Sequence, residues 1–172
     1  MTSACESGPS AWVQSHAGLV APGGRILDLA AGGGRHARYF KGLGYKITAL
    51  DRDVSGLRDL ADTGVEILAA DLEDGSPWPL GTRAFDGIVV TNYLHRPLLP
   101  TLVDALEPGG ILVYETFAQG NERFGKPSNP AFLLSPGELI RAFEARLRIL
   151  AYEDLVVEKP RRAAIQRICA RA

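Results

Sequence analysis

Three aspartates surround a glycine-rich turn in the first half of the chain. Asp28 lies within the apolar run 26–29, just before the small residues of 30–34, and Asp51 and Asp71 follow two later apolar runs. Small residues let a turn bend sharply and let a ligand approach the backbone. Carboxylate oxygens accept hydrogen bonds from hydroxyl and amino groups. The apolar run, the glycine-rich turn and the helical pattern that follows it together predict a site for a nucleotide-type ligand, and the aspartates beside it could bond that ligand.

The elements that position this turn alternate between strand and helix patterns. The run 26–29 suits a buried strand, and 35–43 suits a helix that ends at Gly44. The free N–H groups at the start of that helix are expected to face the turn. Further strands are predicted at 46–50, 65–70, 85–91 and 111–117, and further helices at 11–19, 54–62, 97–106 and 135–145. The alternation predicts an α/β fold, doubly wound, with a mostly parallel sheet and helices on both faces.

The end of the chain follows a different pattern. Two extended runs, 148–157 and 163–170, are joined by too few residues for a parallel crossover, so an antiparallel hairpin is predicted. Before them, 118–134 is a long loop without helical or strand period, and we expect it to act as a lid. Residues 1–9 are expected to be a flexible tail, and 10–172 a single domain.

Composition excludes several classes of protein. Nineteen basic and 20 acidic residues leave a net charge of -1, which argues against extended nucleic-acid binding. No apolar run approaches the roughly 20 residues that span a bilayer, so no membrane segment is expected. Cys5 and Cys169 lack the spacing of a zinc site or a disulfide framework, and no metal site is predicted. A cytoplasmic location is the expectation.

One interpretation of the turn is a dinucleotide site. Residues 32–37 satisfy the pattern G-x-G-x-x-G/A, and Asp51 lies at a suitable distance for a ribose contact. An NAD-linked oxidoreductase is therefore an alternative. Against it stand Asp28 inside the first strand, Asp71 after the third strand, the antiparallel tail and a chain too short for a separate substrate domain.

Those same features resemble the class I S-adenosylmethionine-dependent methyltransferases. The first motif of that family is an acid followed by G-x-G-x-G, and here it is Asp28-Leu-Ala30-Ala-Gly32-Gly-Gly34, with alanine in place of the first glycine. The turn 106–112 is similar to the family's entry to its fifth strand. The resemblance implies a seven-stranded sheet of order 3-2-1-4-5-7-6. It also implies S-adenosyl-L-methionine as cofactor, with S-adenosyl-L-homocysteine as product.

The resemblance further implies which residues hold this cofactor. Asp51 would accept the ribose hydroxyls, Asp71 and Leu72 would meet the adenine edge, and Asn92 would contact the methionine end. The full predicted set is Asp28, Ala30, Gly32, Gly34, His36, Asp51, Arg52, Asp71, Leu72 and Asn92. The alternatives are structural, since aspartates bond the backbone of turns and cap helices, and a neutral His36 near a helix start bonds locally.

Polar residues after the fourth and fifth strands are the candidates for catalysis. His95 is the candidate general base because its ordinary pKa lies near neutrality, and Tyr93 and Glu115 complete the predicted catalytic set. The alternatives are a helix-cap or surface role for His95 and an internal hydrogen bond for Glu115. A looser resemblance to small tellurite-resistance-type methyltransferases implies oxyanion acceptors, for which His95 and Arg96 would bind the anion.

The methyl acceptor stays open at this stage. A small molecule is the expected acceptor, because the chain has no added recognition domain and its charge is nearly balanced. A protein-, tRNA- or rRNA-directed enzyme is a further alternative. So is a catalytically silent S-adenosylmethionine-binding partner protein, which the alanine at position 30 would fit.

Replacing Asp51 with alanine is expected to weaken binding of S-adenosylhomocysteine by about 1–3 kcal/mol, because ligand hydroxyls would lose their acceptor. Isothermal titration calorimetry measures this, with NAD titrated into the wild-type protein in parallel. Tight NAD binding without S-adenosylhomocysteine binding would contradict the resemblance. An unchanged affinity in the variant would show that Asp51 is only a cap.

Overall fold

Seven strands form one sheet at the centre of the computed structural model, which describes residues 8–172. The order across the sheet is β3-β2-β1-β4-β5-β7-β6, as the family resemblance implied. The strands are β1 Arg25–Leu29, β2 Lys46–Asp51, β3 Glu66–Ala69, β4 Phe85–Thr91, β5 Leu106–Phe117, β6 Arg148–Val157 and β7 Ala163–Arg171. Strands β1 to β5 pair in parallel, so their carboxyl ends meet at one edge of the sheet.

The last two strands reverse the direction of the sheet. Strand β7 lies between β5 and β6 and is antiparallel to both. Strands β6 and β7 form the predicted hairpin. Residue Leu150 is the extra residue at an irregularity in the pairing between Ile149 and Ala151. The hairpin extends the sheet beyond the parallel strands and covers the side of β5.

Helices cover both faces of the sheet. The α-helices are α1 Ala11–His16, α2 Arg35–Gly42, α3 Leu99–Asp104 and α4 Glu138–Phe143, and the 3-10 helices are Ala17–Leu19, Val54–Leu60, Arg96–Leu98, Asn121–Arg123 and Pro130–Phe132. The side chain of Ser10 accepts a hydrogen bond from the Trp12 N–H and so caps α1. Asp53 caps the 3-10 helix Val54–Leu60 in the same way, through the Ser55 N–H. No helix within 8–172 is long and apolar enough to cross a membrane.

Several predicted boundaries differ from the structure: the helix predicted at 135–145 is shorter, Glu138–Phe143, and the largest change is at the start of β5. The predicted helix 97–106 ends earlier, at Asp104, and β5 begins at Leu106 instead of 111. Leu106 pairs with Phe85, and a register shift follows before Gly87 pairs with Ile111. The strand therefore contains the bend at 108–110, where proline lacks an N–H and Gly109 has a φ of 79°. The sequence analysis assigned these residues to a turn because proline and glycine disfavour regular strand pairing.

The loop 118–134 is held at both ends. Ala118 and Leu134 form an isolated bridge, and the Leu134 N–H donates to the Phe117 carbonyl at 3.0 Å. Inside the loop, the amide of the buried Asn121 donates to the Pro127 carbonyl at 2.9 Å and accepts from the Ala164 N–H at 3.2 Å. Its movement as a lid stays a prediction.

Apolar side chains form one core layer on each face of the sheet. One layer contains Phe85, Tyr114 and Phe143, and the other contains Trp12 and Phe40. Trp12 is 7% exposed, and its indole N–H donates to the Ile168 carbonyl at 3.2 Å. Trp12 therefore packs in the core of the domain.

Replacing Gln166 with leucine is expected to destabilise the fold by about 1–3 kcal/mol, the cost of two buried polar groups left without partners. The Gln166 amide is fully buried, donates to the Ser135 carbonyl at 2.6 Å and accepts from the Leu139 N–H at 3.3 Å, which ties β7 to the start of α4. Urea denaturation measures the change, with the exposed Gln119→Leu as control. Equal stability of the two variants would contradict this assignment.

Candidate functional site

A cavity of about 1460 Å³ lies at the carboxyl edge of the parallel strands. One part of its wall follows β1 to β3 and contains the glycine turn with Asp51 and Asp71. The other part follows β4 and β5 and includes residues of the loop 118–134. A pocket for one drug-sized ligand measures about 300–1,000 Å³. The cavity therefore has room for a cofactor and a second molecule.

The glycine turn is built from left-handed backbone. Gly32 and Gly34 have φ values of 54° and 77°, which cost glycine little, and Ala30 has a φ of 54°. The alanine thus adopts the conformation that the family's first glycine would take. Two backbone bonds of the next residue, Ala31, hold the turn in place: the Ala31 N–H donates to the Leu50 carbonyl at 3.0 Å, and the Gly34 N–H donates to the Ala31 carbonyl at 2.8 Å.

A neighbouring helix packs directly against this turn. A Cβ atom at Gly56 would lie 3.1 Å from the Gly32 carbonyl oxygen, and one at Gly34 would lie 2.5 Å from a Leu57 methyl group. At Gly32 and Gly33, by contrast, a Cβ would meet nothing within 4 Å. The turn is therefore supported from behind by the 3-10 helix Val54–Leu60 and open in front, where both glycines line the cavity.

Asp28 supports the site from inside the protein. Its side chain is 2% exposed, and Oδ2 accepts the Ala37 N–H at 2.9 Å, which ties β1 to the first turn of α2. Burial raises the pKa of this carboxyl to about 7, against the opposing effects of the Ala37 hydrogen bond and the nearby charge of Arg35. Asp28 is not part of the cavity wall. Asp28 therefore bonds the protein backbone, as the structural alternative in the sequence analysis described.

Asp51 is oriented by two backbone groups and lines the cavity. Its Oδ2 accepts the Gly32 N–H at 2.8 Å, and its Oδ1 accepts the Asp53 N–H at 3.0 Å. Each carboxylate oxygen can accept about two hydrogen bonds, so each retains capacity for a ligand group. The carboxylate therefore has the fixed orientation and the free acceptors that a vicinal diol requires.

Asp71 and its neighbours form the next part of the wall. The exposed Asp71 accepts the Glu73 N–H at 2.9 Å, and Leu72, Glu73 and Tyr93 line the cavity beside it. Burial raises the pKa of the Tyr93 hydroxyl far above its ordinary value, and a hydrogen bond with Glu73 makes the second-largest contribution to this increase. Tyr93 therefore keeps its proton at neutral pH and can donate it in a hydrogen bond. Arg52 also lines the cavity, with an exposed side chain.

His36 lines the cavity at the start of α2. Burial, with a smaller contribution from the charge of Arg35, lowers the pKa of its imidazole to about 4. Its Nε2 accepts the backbone N–H of Ser10 at 3.1 Å. The neutral ring agrees with the second interpretation that the sequence left open, but the bond is not local, because Ser10 lies 26 positions before His36.

The part of the wall beyond β4 and β5 is uncharged. It consists of Thr91, Asn92, Tyr93, Leu94, Thr116, Phe117, Pro127 and Phe132. Asn92 has a φ of 55°, and its N–H donates to the Glu115 carbonyl at 2.9 Å. We call these eight residues the acceptor end of the cavity. They combine aromatic surface with hydroxyl and amide groups.

Two of the predicted catalytic residues lie outside this wall. His95 lines a neighbouring cavity of about 160 Å³ together with Trp78 and Thr101. Glu115 is directed elsewhere: its Oε1 accepts from the Ser10 hydroxyl at 2.7 Å, and its Oε2 lies 3.3 Å from Arg167. The geometry corrects the prediction that His95 and Glu115 face the large cavity. Successive side chains of a strand point to opposite faces of the sheet, so Glu115 points away from the face on which its neighbour Thr116 lines the cavity.

Arg96 has a structural partner. Its Nε lies 2.6 Å from the Glu138 carboxylate, and its guanidinium donates to the carbonyls of Ala131 and Leu133 at 2.8 and 3.0 Å. These contacts tie the loop 118–134 to α4. The predicted anion-binding role of Arg96 does not match this arrangement.

Sequence reasoning missed several residues of the wall. Gly8 and Pro9 belong to the predicted flexible tail, and Pro127 and Phe132 belong to a loop without regular pattern. None of them has a local signal, because they reach the cavity through long-range packing. Residues 1–7 of that predicted tail, with Cys5, lie outside the described residues.

A family model described as a methyltransferase domain matches residues 27–114, just over half of the 172 residues. Among curated proteins, the chain is 32% identical over 146 aligned residues to the tRNA U34 carboxymethyltransferase of Methylococcus capsulatus. That match covers 71% of this chain and 44% of the relative. The chain thus spans less than half the length of this curated relative.

Solved structures show the same fold. TehB from Haemophilus influenzae superposes with a TM-score of 0.79 at 19% identity, over 95% of this chain and 62% of that chain. An S-adenosylmethionine-dependent methyltransferase from Mesorhizobium loti has a TM-score of 0.73 at 19% identity, over 95% and 99% of the two chains. At such identities the likeness concerns the fold alone.

Replacing Asp28 with asparagine is expected to stabilise the protein increasingly as pH rises from 5 to 8. The folded state holds the Asp28 proton up to about pH 7, whereas the unfolded chain releases it near 3.8, so wild-type stability falls across this interval. At about 1.4 kcal/mol per pKa unit, the difference approaches about 4 kcal/mol at high pH. Asparagine keeps an acceptor for the Ala37 N–H.

Urea denaturation of both proteins at several pH values measures this difference. The exposed Asp62→Asn is the control, since it removes the same charge from a left-handed position that asparagine tolerates. A difference between wild type and Asp28→Asn that stays constant with pH would contradict the raised pKa.

Proposed function

This chain belongs to the class I S-adenosylmethionine-dependent methyltransferases, and we propose that it methylates a small, uncharged acceptor molecule. The family identifies it as an enzyme that uses S-adenosylmethionine. The NAD-linked and catalytically silent alternatives find no support in these matches. The proposal for the acceptor rests on the uncharged, aromatic acceptor end of the cavity.

The residues of the charged half of the cavity fit the cofactor. Asp51 has free acceptor capacity on both oxygens, and Gly32 and Gly33 leave open space in front of the turn. We assign Asp51 to the ribose hydroxyls and Asp71 with Leu72 to the adenine edge. When bound, S-adenosylmethionine supplies an electrophilic methyl group on its sulfonium. Ala30 and Gly32 line the cavity and shape the backbone surface against which the cofactor lies, whereas Gly34 is buried against Leu57 and supports the turn from behind.

Further residues of this half complete the proposed cofactor site. Arg52, in this half, and Asn92, from the adjoining acceptor end, line the cavity with exposed side chains and are assigned to the polar ends of the cofactor. His36 lines it with a neutral ring. Asp28 acts from behind the wall, where it holds the start of α2.

The acceptor end offers surface for orientation but no general base. Tyr93 keeps its proton, and His95 and Glu115 lie outside the wall. Methyl transfer is an in-line displacement, for which alignment and exclusion of water are the main requirements. We infer that the acceptor attacks with a lone pair that is free at neutral pH, as on an unprotonated ring nitrogen or a sulfur atom. Thr91 and Thr116 supply hydroxyl groups to orient it.

Aromatic contacts provide the binding surface for such a molecule. Phe117 lines the cavity at the end of β5, and Phe132, with 48% of its surface exposed, lines it from the loop 118–134. Apolar rings next to a few polar groups are typical of small-molecule pockets. The tRNA substrate named for the Methylococcus capsulatus relative belongs to a protein of which this chain spans 44%.

Replacing Phe117 with alanine is expected to lower kcat/KM for an acceptor by about 10- to 100-fold, since a large apolar contact is lost. Its affinity for S-adenosylhomocysteine should change by less than about twofold, because the cofactor residues are untouched. Formation of S-adenosylhomocysteine is measured with matched pairs of aromatic N-heterocycles and thioethers, each with and without a carboxylate; neither class must lose a proton to attack. The uncharged member of each pair is expected to react faster.

The control variant is Phe124→Ala. Phe124 carries an equal ring in the loop that follows Phe117, stacked under Arg162 and outside the cavity wall. Faster reaction of the carboxylates, or turnover with tRNA or protein alone, would overturn the proposed acceptor class.

A further inference from the structure

A short N-terminal segment crosses the edge of the cavity. We call residues 8–10 the strap. Gly8 and Pro9 line the cavity, and Ser10 begins the cap of α1. The strap lies far in sequence from the other residues of the wall, so specific contacts must hold it in place.

The first contact joins the strap to the glycine turn. The Ser10 N–H donates to Nε2 of His36 at 3.1 Å, and His36 is the second residue of α2, immediately after the turn. His36 is 2% exposed, and burial keeps its ring neutral, so Nε2 retains the lone pair that this bond requires. The guanidinium of Arg35 also approaches the Gly8 carbonyl, at 3.4 Å.

The second contact joins the strap to β5. The Ser10 hydroxyl donates to Oε1 of Glu115 at 2.7 Å while accepting from the Trp12 N–H at 3.2 Å. Glu115 is itself fixed, because its Oε2 pairs with Arg167 at 3.3 Å. Arg167 also bonds Glu153 and lies 4.8 Å from the centre of the Trp12 ring. Both polar groups of Ser10 are therefore engaged.

These two contacts connect the two halves of the cavity. His36 belongs to the cofactor half, next to the glycine turn. Glu115 belongs to the strand that carries Thr116 and Phe117, and its carbonyl accepts the Asn92 N–H at 2.9 Å. A single residue, Ser10, thus bridges the start of α2 and the ends of β4 and β5.

We propose that Ser10, His36 and Glu115 are positioning residues that hold the strap as a wall of the active site, and that its release opens the route for ligand exchange. This inference rests on the proposed function for the identity of the ligands. None of the three residues acts on the reacting atoms. Their effect is on how long a bound ligand is retained and how the acceptor is confined.

Breaking either contact is expected to loosen the strap and speed ligand release. The bond between the Ser10 N–H and His36 is neutral, so His36→Ala should raise the dissociation rate of S-adenosylhomocysteine by about fivefold. The bond between the Ser10 hydroxyl and the Glu115 carboxylate is charge-assisted and stronger, so Ser10→Ala and Glu115→Ala should raise that rate by about tenfold. Rapid displacement in a stopped-flow instrument measures this rate. Deuterium uptake of the peptide 8–13, by mass spectrometry, reports opening of the strap directly.

Conservative variants separate positioning from a general loss of structure. Glu115→Gln keeps an acceptor for Ser10 and is expected to restore both the slow dissociation and the low deuterium uptake. His36→Gln also keeps an acceptor, but His36 lines the proposed cofactor site, so its restoration is measured by deuterium uptake alone. Ser15→Ala is the matched control, because the Ser15 hydroxyl bonds the Ala11 carbonyl on the exposed side of α1. A thermal unfolding curve for each variant verifies that it is folded at the temperature of the measurement.

Two results would overturn the inference. One is an uptake and a dissociation rate in Ser10→Ala and Glu115→Ala equal to those of Ser15→Ala. The other is failure of Glu115→Gln to restore the wild-type dissociation rate together with failure of His36→Gln to restore the wild-type deuterium uptake. Because S-adenosylhomocysteine is the only ligand used, a wrong acceptor class would leave these outcomes unchanged, so the two proposals fail separately.

Discussion

One buried hydrogen bond, from the Ala37 N–H to Asp28, determines where the ligand site forms. Asp28 lies on β1, the strand at the middle of the parallel pairing, and the bond fixes the first turn of α2 above the end of that strand. The chain between them, 30–34, must then turn within five residues, which requires its left-handed backbone. The cavity exists because this turn keeps the start of α2 close to the carboxyl edge. Burial of a carboxyl group is the energetic cost, visible in the raised pKa of Asp28.

Most helices and strands can be predicted from hydrophobic periodicity and turn residues, because these signals act over short stretches of chain. The strand at 85–91 and the antiparallel tail were predicted with nearly their final bounds, since both are flanked by clear breaks. The start of β5 was wrong, because a bend with proline and glycine resembles a turn even where the strand continues past it. The helix at 54–62 was predicted in place but is 3-10 in type, where Gly56 packs on the glycine turn.

The residues of one half of the cavity can be predicted from the sequence, whereas most residues of the other half cannot. Asp51 and Asp71 each end a strand of the same parallel sheet, so strand order alone brings them to one edge. The acceptor end draws Thr116 from a strand, and Pro127 and Phe132 from a loop without period. Their meeting depends on tertiary contacts such as those of Arg96 with the loop carbonyls. No spacing in the sequence encodes such contacts, so chemical type alone suggested His95.

Charge is distributed unequally along the cavity, and this division has a physical consequence. Carboxylates and arginines belong to the half where a polar nucleotide would lie, whereas the half beyond β4 and β5 has hydroxyls, an amide and aromatic rings. A charged side chain beside the reacting atoms would retain water, and water weakens the alignment that in-line displacement needs. Glu115 illustrates the same constraint: its charge is paired with Arg167 and bonded to Ser10, on the far side of the strand from Thr116. The Glu115 carboxylate thus fixes the strap beside the cavity without lining the cavity itself.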